Sequence, residues 1–272
     1  MTDQNYCHLF TAGGLFGHAY GTHVQLIQDP LALTHLARLC HPDCVQPEIN
    51  RRTDWLYRNL VREVINREFP RRMVRSETRM SAHSALGFYE GQIIDPETQV
   101  TTVDIARAGI LPSMTCFQEL CDVLNPKSVR QDHHMTNRTL NAEGHVTGAA
   151  TSGRKIAGPT NGRILLFPDP MGATGGSLTE AIRFYLDQPD GAPSLIITLD
   201  LIITPEFIRR LTDEFKGTVK IYAYRLDRGL SPSDVLKLPF GERWKEERGL
   251  DDRQYIVPGA GGMGEVMNNA LE

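Results

Sequence analysis

Apolar positions along this chain follow two periods. Between Arg51 and Phe69, Leu56, Leu60 and Val64 recur every fourth residue with Tyr57, Val61 and Ile65 beside them, while Arg58, Arg62, Glu63 and Arg67 take the opposite side. That spacing predicts an amphipathic helix stopping before Pro70, with Trp55 and Tyr57 belonging to the core rather than to a ligand. A shorter helix, Leu31 to Leu39, is expected after Asp29-Pro30, because a proline's missing N–H is no loss at a first helical position. Gly109 to Leu124, Leu178 to Leu186 and Pro205 to Phe215 also read as helices. Val24 to Ile27, Arg163 to Phe167, Ser194 to Asp200 and Thr218 to Tyr224 are apolar runs of strand length. Strands alternating with helices imply an α/β fold, a parallel sheet flanked by helices, whose ligands bind at the carboxyl ends of the strands.

Other stretches depart from that alternation. Met73-Val-Arg, Leu86-Gly-Phe-Tyr, Gln92-Ile-Ile and Val100-Thr-Thr-Val-Asp-Ile read as strands within Arg71 to Ala106. Tyr6 to Gly21, with four glycines from Gly13 on, reads as an N-terminal arm. Ser128 to Val146 reads as a strand and hairpin. Gly144 to Gly162 has the Gly/Thr/Ser composition of a mobile loop, and Arg154-Lys155 make it either a cationic lid or a solvated loop. Phe240 to Gly249 is charged around one Trp and reads as a solvated helix, with a lid or a partner patch as the alternatives.

Composition narrows the classes. The 272 residues suit one large α/β domain or two small ones; 40% hydrophobic and 23% charged content is that of a soluble globular chain. A formal net charge of −4 gives no basicity for nucleic acid or an anionic membrane. No secretory signal opens the sequence, and Leu195 to Ile203 is too short to span a bilayer. Five cysteines, an odd number, argue for free thiols in the cytoplasm. Cys40-His-Pro-Asp-Cys44 lacks a second ligand pair at finger-like spacing, so no metal site is expected there. His133-His134 reads as a surface turn.

The chemistry concentrates after the Arg163–Phe167 strand. Asp169-Pro170-Met171-Gly172-Ala173-Thr174-Gly175-Gly176-Ser177 joins that strand to a helix. Unsatisfied N–H groups at the helix start, glycines and two hydroxyls make an anion site. It is not an ATP-type phosphate loop, since Gly176 stands where that motif has Lys. A carboxylate such as Asp169 repels phosphate and suits sugar hydroxyls, so a sugar phosphate is the ligand class. Near the C-terminus, Gly259, Gly261 and Gly264 match a dinucleotide fingerprint. Too few residues follow for the helix and acidic strand such a unit needs.

The Asp169–Ser177 string closely resembles the 5-phosphoribosyl-1-pyrophosphate (PRPP) loop of uracil phosphoribosyltransferases. Arg107-Ala108-Gly109 at a strand end, the Val-x-Leu-Ile-x-x-Pro-Leu phrase from Val24 and Tyr255-Ile-Val-Pro-Gly259 resemble other segments of the same family. The resemblance implies a type I phosphoribosyltransferase fold in a single domain over 1–272. Its N-terminal arm is 1–21, its β-arm 71–100 is used in dimer contacts, with a sheet extension that has no partner as the alternative, and 231–254 is an insertion; the terminal segments form a hood. It implies transfer of phosphoribosyl from PRPP to uracil, giving UMP and pyrophosphate, with Mg2+ accompanying PRPP and a homodimer or higher homo-oligomer. Asp169 and Arg107 would be catalytic, and Asp169 to Ser177, Arg107, Arg138 and the Gly262 position would meet PRPP. Arg138 is the best match to a family Tyr-Arg that this chain lacks, with Arg130 the alternative. Backbone of Ile256, Gly261, Gly262 and Met263 would read the uracil edge. Gly262 replaces a family Asp, with Glu265 keeping an acid nearby. Another acceptor base, a non-catalytic PRPP or UMP sensor, or a structural relative with vestigial loops remain open.

Overall fold

The strands predicted from the apolar runs assemble side by side, as a computed structural model of the chain describes for residue 3, residues 14–140 and residues 146–270, with backbone alone for 136–140 and 146–151. Most of the expected N-terminal arm, Cys7 and the last two residues lie outside the described residues. In chain order the elements are β1 (Gly14–Leu15), β2 (Val24–Gln28), α1 (Pro30–Leu39), α2 (Glu48–Glu68), β3 (Arg71–Glu77), β4 (Phe88–Ile94), β5 (Val100–Ala106) and α3 (Ile110–Val123). Then follow β6 (Val129–Leu140), β7 (Val146–Lys155), β8 (Ile164–Pro168), β9 (Met171–Gly172) and α4 (Gly176–Leu186). β10 (Leu195–Ile203), α5 (Pro205–Phe215), β11 (Val219–Leu226) and α6 (Met263–Met267) complete it.

The main sheet runs β1-β2-β11-β10-β8-β5-β6-β7, with β9 added to β10. From β2 to β6 all neighbours are parallel, and only the outer β1 and β7 are antiparallel. Both faces are covered. Leu56, Leu60 and Val64 of α2 pack with Leu166, Ile197 and Leu199 on one side. Leu178 and Ile182 of α4 and Phe207 and Leu211 of α5 pack with Val103, Leu165, Phe167 and Ile221 on the other. Each such wholly buried side chain contributes roughly 1.5–3 kcal/mol relative to exposure. Asp29 caps α1, its Oδ1 accepting from Leu31 N–H (2.9 Å) and Ala32 N–H (3.0 Å). Tyr57 is buried, as the periodicity predicts, and Trp55 stacks on His35.

β3 and β4 form a separate antiparallel hairpin, 71–94. The expected arm is thus shorter than 71–100, because Val100 begins a strand of the main sheet. Residues near the start of the chain meet the segment after β11: the Ala19 N–H donates to the Phe240 carbonyl (2.8 Å), and Arg228 ion-pairs with Asp3 and Glu247.

Three sequence-based expectations are corrected. Phe240 to Gly249 is no solvated helix. It contains one short 3-10 turn, Trp244–Glu246; Phe240 is wholly buried, and Glu247 is buried between Arg228 and Tyr20. Gly144–Gly162 contains β7, paired with β6, and Arg154 is tied to Glu180 of α4. His133 and His134 lie inside β6, where His133 pairs with Asp104 and His134 is buried beside Tyr185.

Candidate functional site

β8 is buried throughout and ends where Asp169 leaves the sheet. The following turn is held along the end of β10. Asp169 N–H donates to the Leu199 carbonyl (3.0 Å), and the Pro170 carbonyl accepts from Leu201 (3.2 Å) and Ile202 (3.1 Å). Thr204 fixes the next two residues, its N–H donating to the Gly172 carbonyl (3.1 Å) and its hydroxyl to the Ala173 carbonyl (2.7 Å). A Cβ at Gly172 would lie 2.8 Å from Ile203 Cγ2, so this close approach admits only glycine. Gly175 turns the chain into α4 with φ +73°, in the left-handed region that favours glycine. The first-turn N–H groups of α4 therefore open beside Thr174 and Ser177 with no intrahelical acceptor, a geometry that receives anions.

Beneath this turn lies Asp200, wholly buried, with one carboxyl oxygen accepting from Thr198 Oγ1 (2.7 Å) and the other without a partner. Burial pushes its pKa well above the ordinary carboxylate value, the nearby Asp169 adding to the rise and the Thr198 hydrogen bond opposing it. The neutral acid is thereby favoured, which keeps a second negative charge away from Asp169.

The second turn follows β5. Gly109 N–H donates back to the Ile105 carbonyl (3.1 Å), opening α3. A Cβ at Gly109 would sit 3.1 Å from the Pro168 carbonyl oxygen, so this turn abuts the end of β8. Arg107 is exposed and, among the described residues, its guanidinium has no hydrogen bond or ion pair. An unneutralised cation beside a helix start suits a second anion.

The third turn is the C-terminal glycine run. Asp227 clamps it: bound by Arg225 through both oxygens (2.7 and 2.8 Å), Asp227 also accepts from Gly259 N–H (2.8 Å), while Arg225 donates to the Gly259 carbonyl (3.1 Å). Gln46 holds the far end through the Met267 carbonyl (2.6 Å). Ile256 and Met263 bury their side chains in the core, and Gly261 is exposed. A Cβ at Gly264 would lie 3.6 Å from Ala108, so the run sits against the Arg107 turn. A Cβ at Gly262 would overlap the Glu265 carboxylate, whose Cδ would be 3.1 Å away. Glu265 therefore occupies the space a side chain at position 262 would need.

The structure thus brings Asp169–Ser177, Arg107 and the Gly261–Met263 stretch to one edge of the sheet. Arg138 is on β6, and its side chain lies outside the described residues. Arg130, the alternative, is bound to Asp132 and the Pro159 carbonyl (3.0 Å) and is committed to the fold. Sequence reading missed Arg210 of α5. Its Nη1 would be 3.4 Å from a Cβ at Gly176, on the Asp169–Ser177 turn itself. No local motif marks it; only the packing of α5 on the turn reveals it.

Among known proteins, the family model "Uracil phosphoribosyltransferase" matches residues 26–242. A uracil phosphoribosyltransferase of Streptomyces griseus is 27% identical over 217 residues, covering 74% of this chain and 87% of that protein. One from Nocardioides is 34% identical over 117 residues, 43% of this chain and 46% of the relative. For Aquifex aeolicus the figures are 32% over 104 residues and 38% of each protein, so these matches span less than half the relatives' length. In fold, the chain is similar to the AQ2163 protein of Aquifex aeolicus, with a TM-score of 0.67 and 20% identity over 92% of this chain and 99% of that one.

Proposed function

The chain belongs to the uracil phosphoribosyltransferase family, and on that premise we propose that it transfers the phosphoribosyl group of PRPP to uracil, giving UMP and pyrophosphate for pyrimidine salvage. The observation that carries this reading is the convergence of three turns at the carboxyl edge of the sheet. One suits a phosphate, one offers an unpaired guanidinium and one offers exposed backbone. PRPP needs the first two and a planar base edge the third.

In this reading Thr174 to Ser177 bind the 5′-phosphate and Asp169 holds ribose hydroxyls. Arg107 receives the pyrophosphate, with Arg138 assigned beside it by the family resemblance. Ile256 and Gly261 to Met263 present backbone donors and acceptors to uracil O2, N3–H and O4; their buried Ile256 and Met263 side chains support a backbone role. The N1–C1′ bond forms as the C1′–O bond to pyrophosphate breaks, and the N1 proton leaves to solvent. The protein's share is positioning and charge stabilisation.

Among the described residues no group of three or more His, Cys, Asp or Glu side chains could cage a metal. Asp169 and the Glu265 carboxylate over Gly262 are the acids at the site. That set fits Mg2+ arriving on the diphosphate, which Asp169 and Glu265 would help to hold. When bound, it would neutralise charge on the leaving pyrophosphate. A cytoplasmic setting suits the free thiols Cys40, Cys44, Cys116 and Cys121, and a homodimer suits the exposed hairpin.

Asp169→Asn tests the assignment of the ribose carboxylate. UMP formation should fall at least about a hundredfold, the scale of losing one oriented charge at the reacting centre, with melting temperature unchanged. An unaltered rate would remove Asp169 from the site.

A further inference from the structure

Gly176 holds the place where an ATP-type phosphate loop carries its lysine, so the turn has no cation of its own. The fold delivers one from another element. α5 packs across the start of α4, and Arg210 lies along the two glycines. Its Cδ would be 3.4 Å from a Cβ at Gly175, and its Nη1 3.4 Å from a Cβ at Gly176. The same Gly176 point is 3.7 Å from Thr174 Oγ1, so guanidinium and hydroxyl flank one spot at the mouth of the turn. Phe207, one turn earlier on α5, packs at 3.3 Å from the Gly175 point and fixes the helix there. A Cβ at 175 or 176 would touch this arginine at van der Waals distance.

Arg210 is exposed, and among the described residues its guanidinium has no hydrogen bond or ion pair. Of the other charges of α5, Arg209 donates to the Trp244 carbonyl (2.7 Å), Glu206 accepts from Gly249 N–H (3.0 Å) and Glu214 pairs with Arg183, while Asp213, three residues on, makes no ion pair with Arg210 among the described residues. The phosphate turn presents N–H groups and hydroxyls, which orient a phosphate but leave its charge unmatched.

We propose that Arg210 binds the 5′-phosphate of the sugar substrate from α5, supplying the cation that Gly176 omits and selecting phosphorylated over unphosphorylated ribose compounds. This rests on the reading of the Asp169–Ser177 turn as a sugar-phosphate site, and it holds whichever base is the acceptor. A guanidinium on phosphate forms charge-assisted hydrogen bonds, among the stronger ones available at a surface.

The test is calorimetric binding of ribose 5-phosphate, UMP and uridine to the full chain and to Arg210→Gln and Arg210→Lys, with melting temperatures alongside. Arg210→Gln should weaken ribose 5-phosphate and UMP by about tenfold or more while leaving uridine and the melting temperature unchanged. Arg210→Lys should recover part of the loss, and the wild-type advantage should shrink with added salt. Equal affinity of wild type and Arg210→Gln for ribose 5-phosphate would overturn the proposal, as would equal weakening of UMP and uridine. Wild-type protein that binds ribose 5-phosphate through Arg210 yet makes no UMP would sink the uracil reading and keep this one. Wild-type protein that binds no ribose 5-phosphate would overturn both.

Discussion

Glu265 answers at the residue scale a question that Gly262 poses in the sequence. The loop lacks an acid at position 262, but the Glu265 carboxylate occupies the volume an acid there would take. Glu265→Ala should lower kcat/KM for PRPP about tenfold or more, the loss of one contact to a charged group. Gly262→Asp alone should push aside the end of the flexible Glu265 side chain and set two carboxylates next to each other, lowering activity by charge repulsion without loss of stability. Combining Gly262→Asp with Glu265→Ala should recover activity, and a double variant worse than either single one would disprove the exchange. Burial at His134 gives a second prediction. It holds the imidazole down to about 4, with Arg154 adding to the effect. The folded pKa lies below the unfolded value near 6.5, so the unfolded chain binds the proton first and stability falls as pH drops from 6.5 towards 4. The loss amounts to roughly 3 kcal/mol by pH 4. His134→Phe keeps the ring contacts with Phe184 and Tyr185 and should flatten that decline in urea unfolding; an unchanged slope would assign the acid sensitivity elsewhere.

At the scale of elements, what the sequence made legible depended on how local the deciding contacts are. α2 spans 48–68 against an expected 51–69, and α5 matches at 205–215, because a periodic apolar face declares a helix by itself. β7 was hidden, since its Gly/Thr/Ser composition reads as a loop and only pairing with β6 makes it a strand. Phe240–Gly249 misled for the opposite reason. Glu247 reads as a solvated charge, yet its partners Tyr20 and Arg228 are remote in sequence and bury it. The β3–β4 hairpin was legible as an arm, and its chemistry argues for a partner. Met73 is 63% and Leu86 89% exposed, with Phe88, Tyr89 and Ile93 also open. A lone two-stranded hairpin is marginal in water, so these side chains need a surface to cover them. A second copy of this chain is the proposed cover. Sedimentation should give a dimer for the wild type and a monomer for Met73→Glu/Phe88→Glu; a monomeric wild type would contradict it.

Across the whole molecule, the six parallel strands place Asp169 and Arg107 on adjacent turns, and the C-terminal glycine run sits against the Arg107 turn. The strand-turn-helix geometry of Asp169–Ser177 was readable because nine consecutive residues carry it. Arg107 was readable as a cation at a strand end. Arg210 was not, because its relation to Gly176 exists only once α5 lies across α4. The Glu265 arrangement was half readable: an acid stood nearby in sequence, but its position over Gly262 needed the fold of the loop. The segment matched by the family model ends at 242, before the proposed base loop at 255–265, and the acceptor base has a direct test of its own. That test follows uracil, PRPP and Mg2+ to product, with UMP and pyrophosphate quantified in the same reaction. One UMP for each pyrophosphate, with Asp169→Asn silent, is the predicted result. Pyrophosphate released without UMP, or no product from a protein that binds PRPP, would contradict uracil as the acceptor.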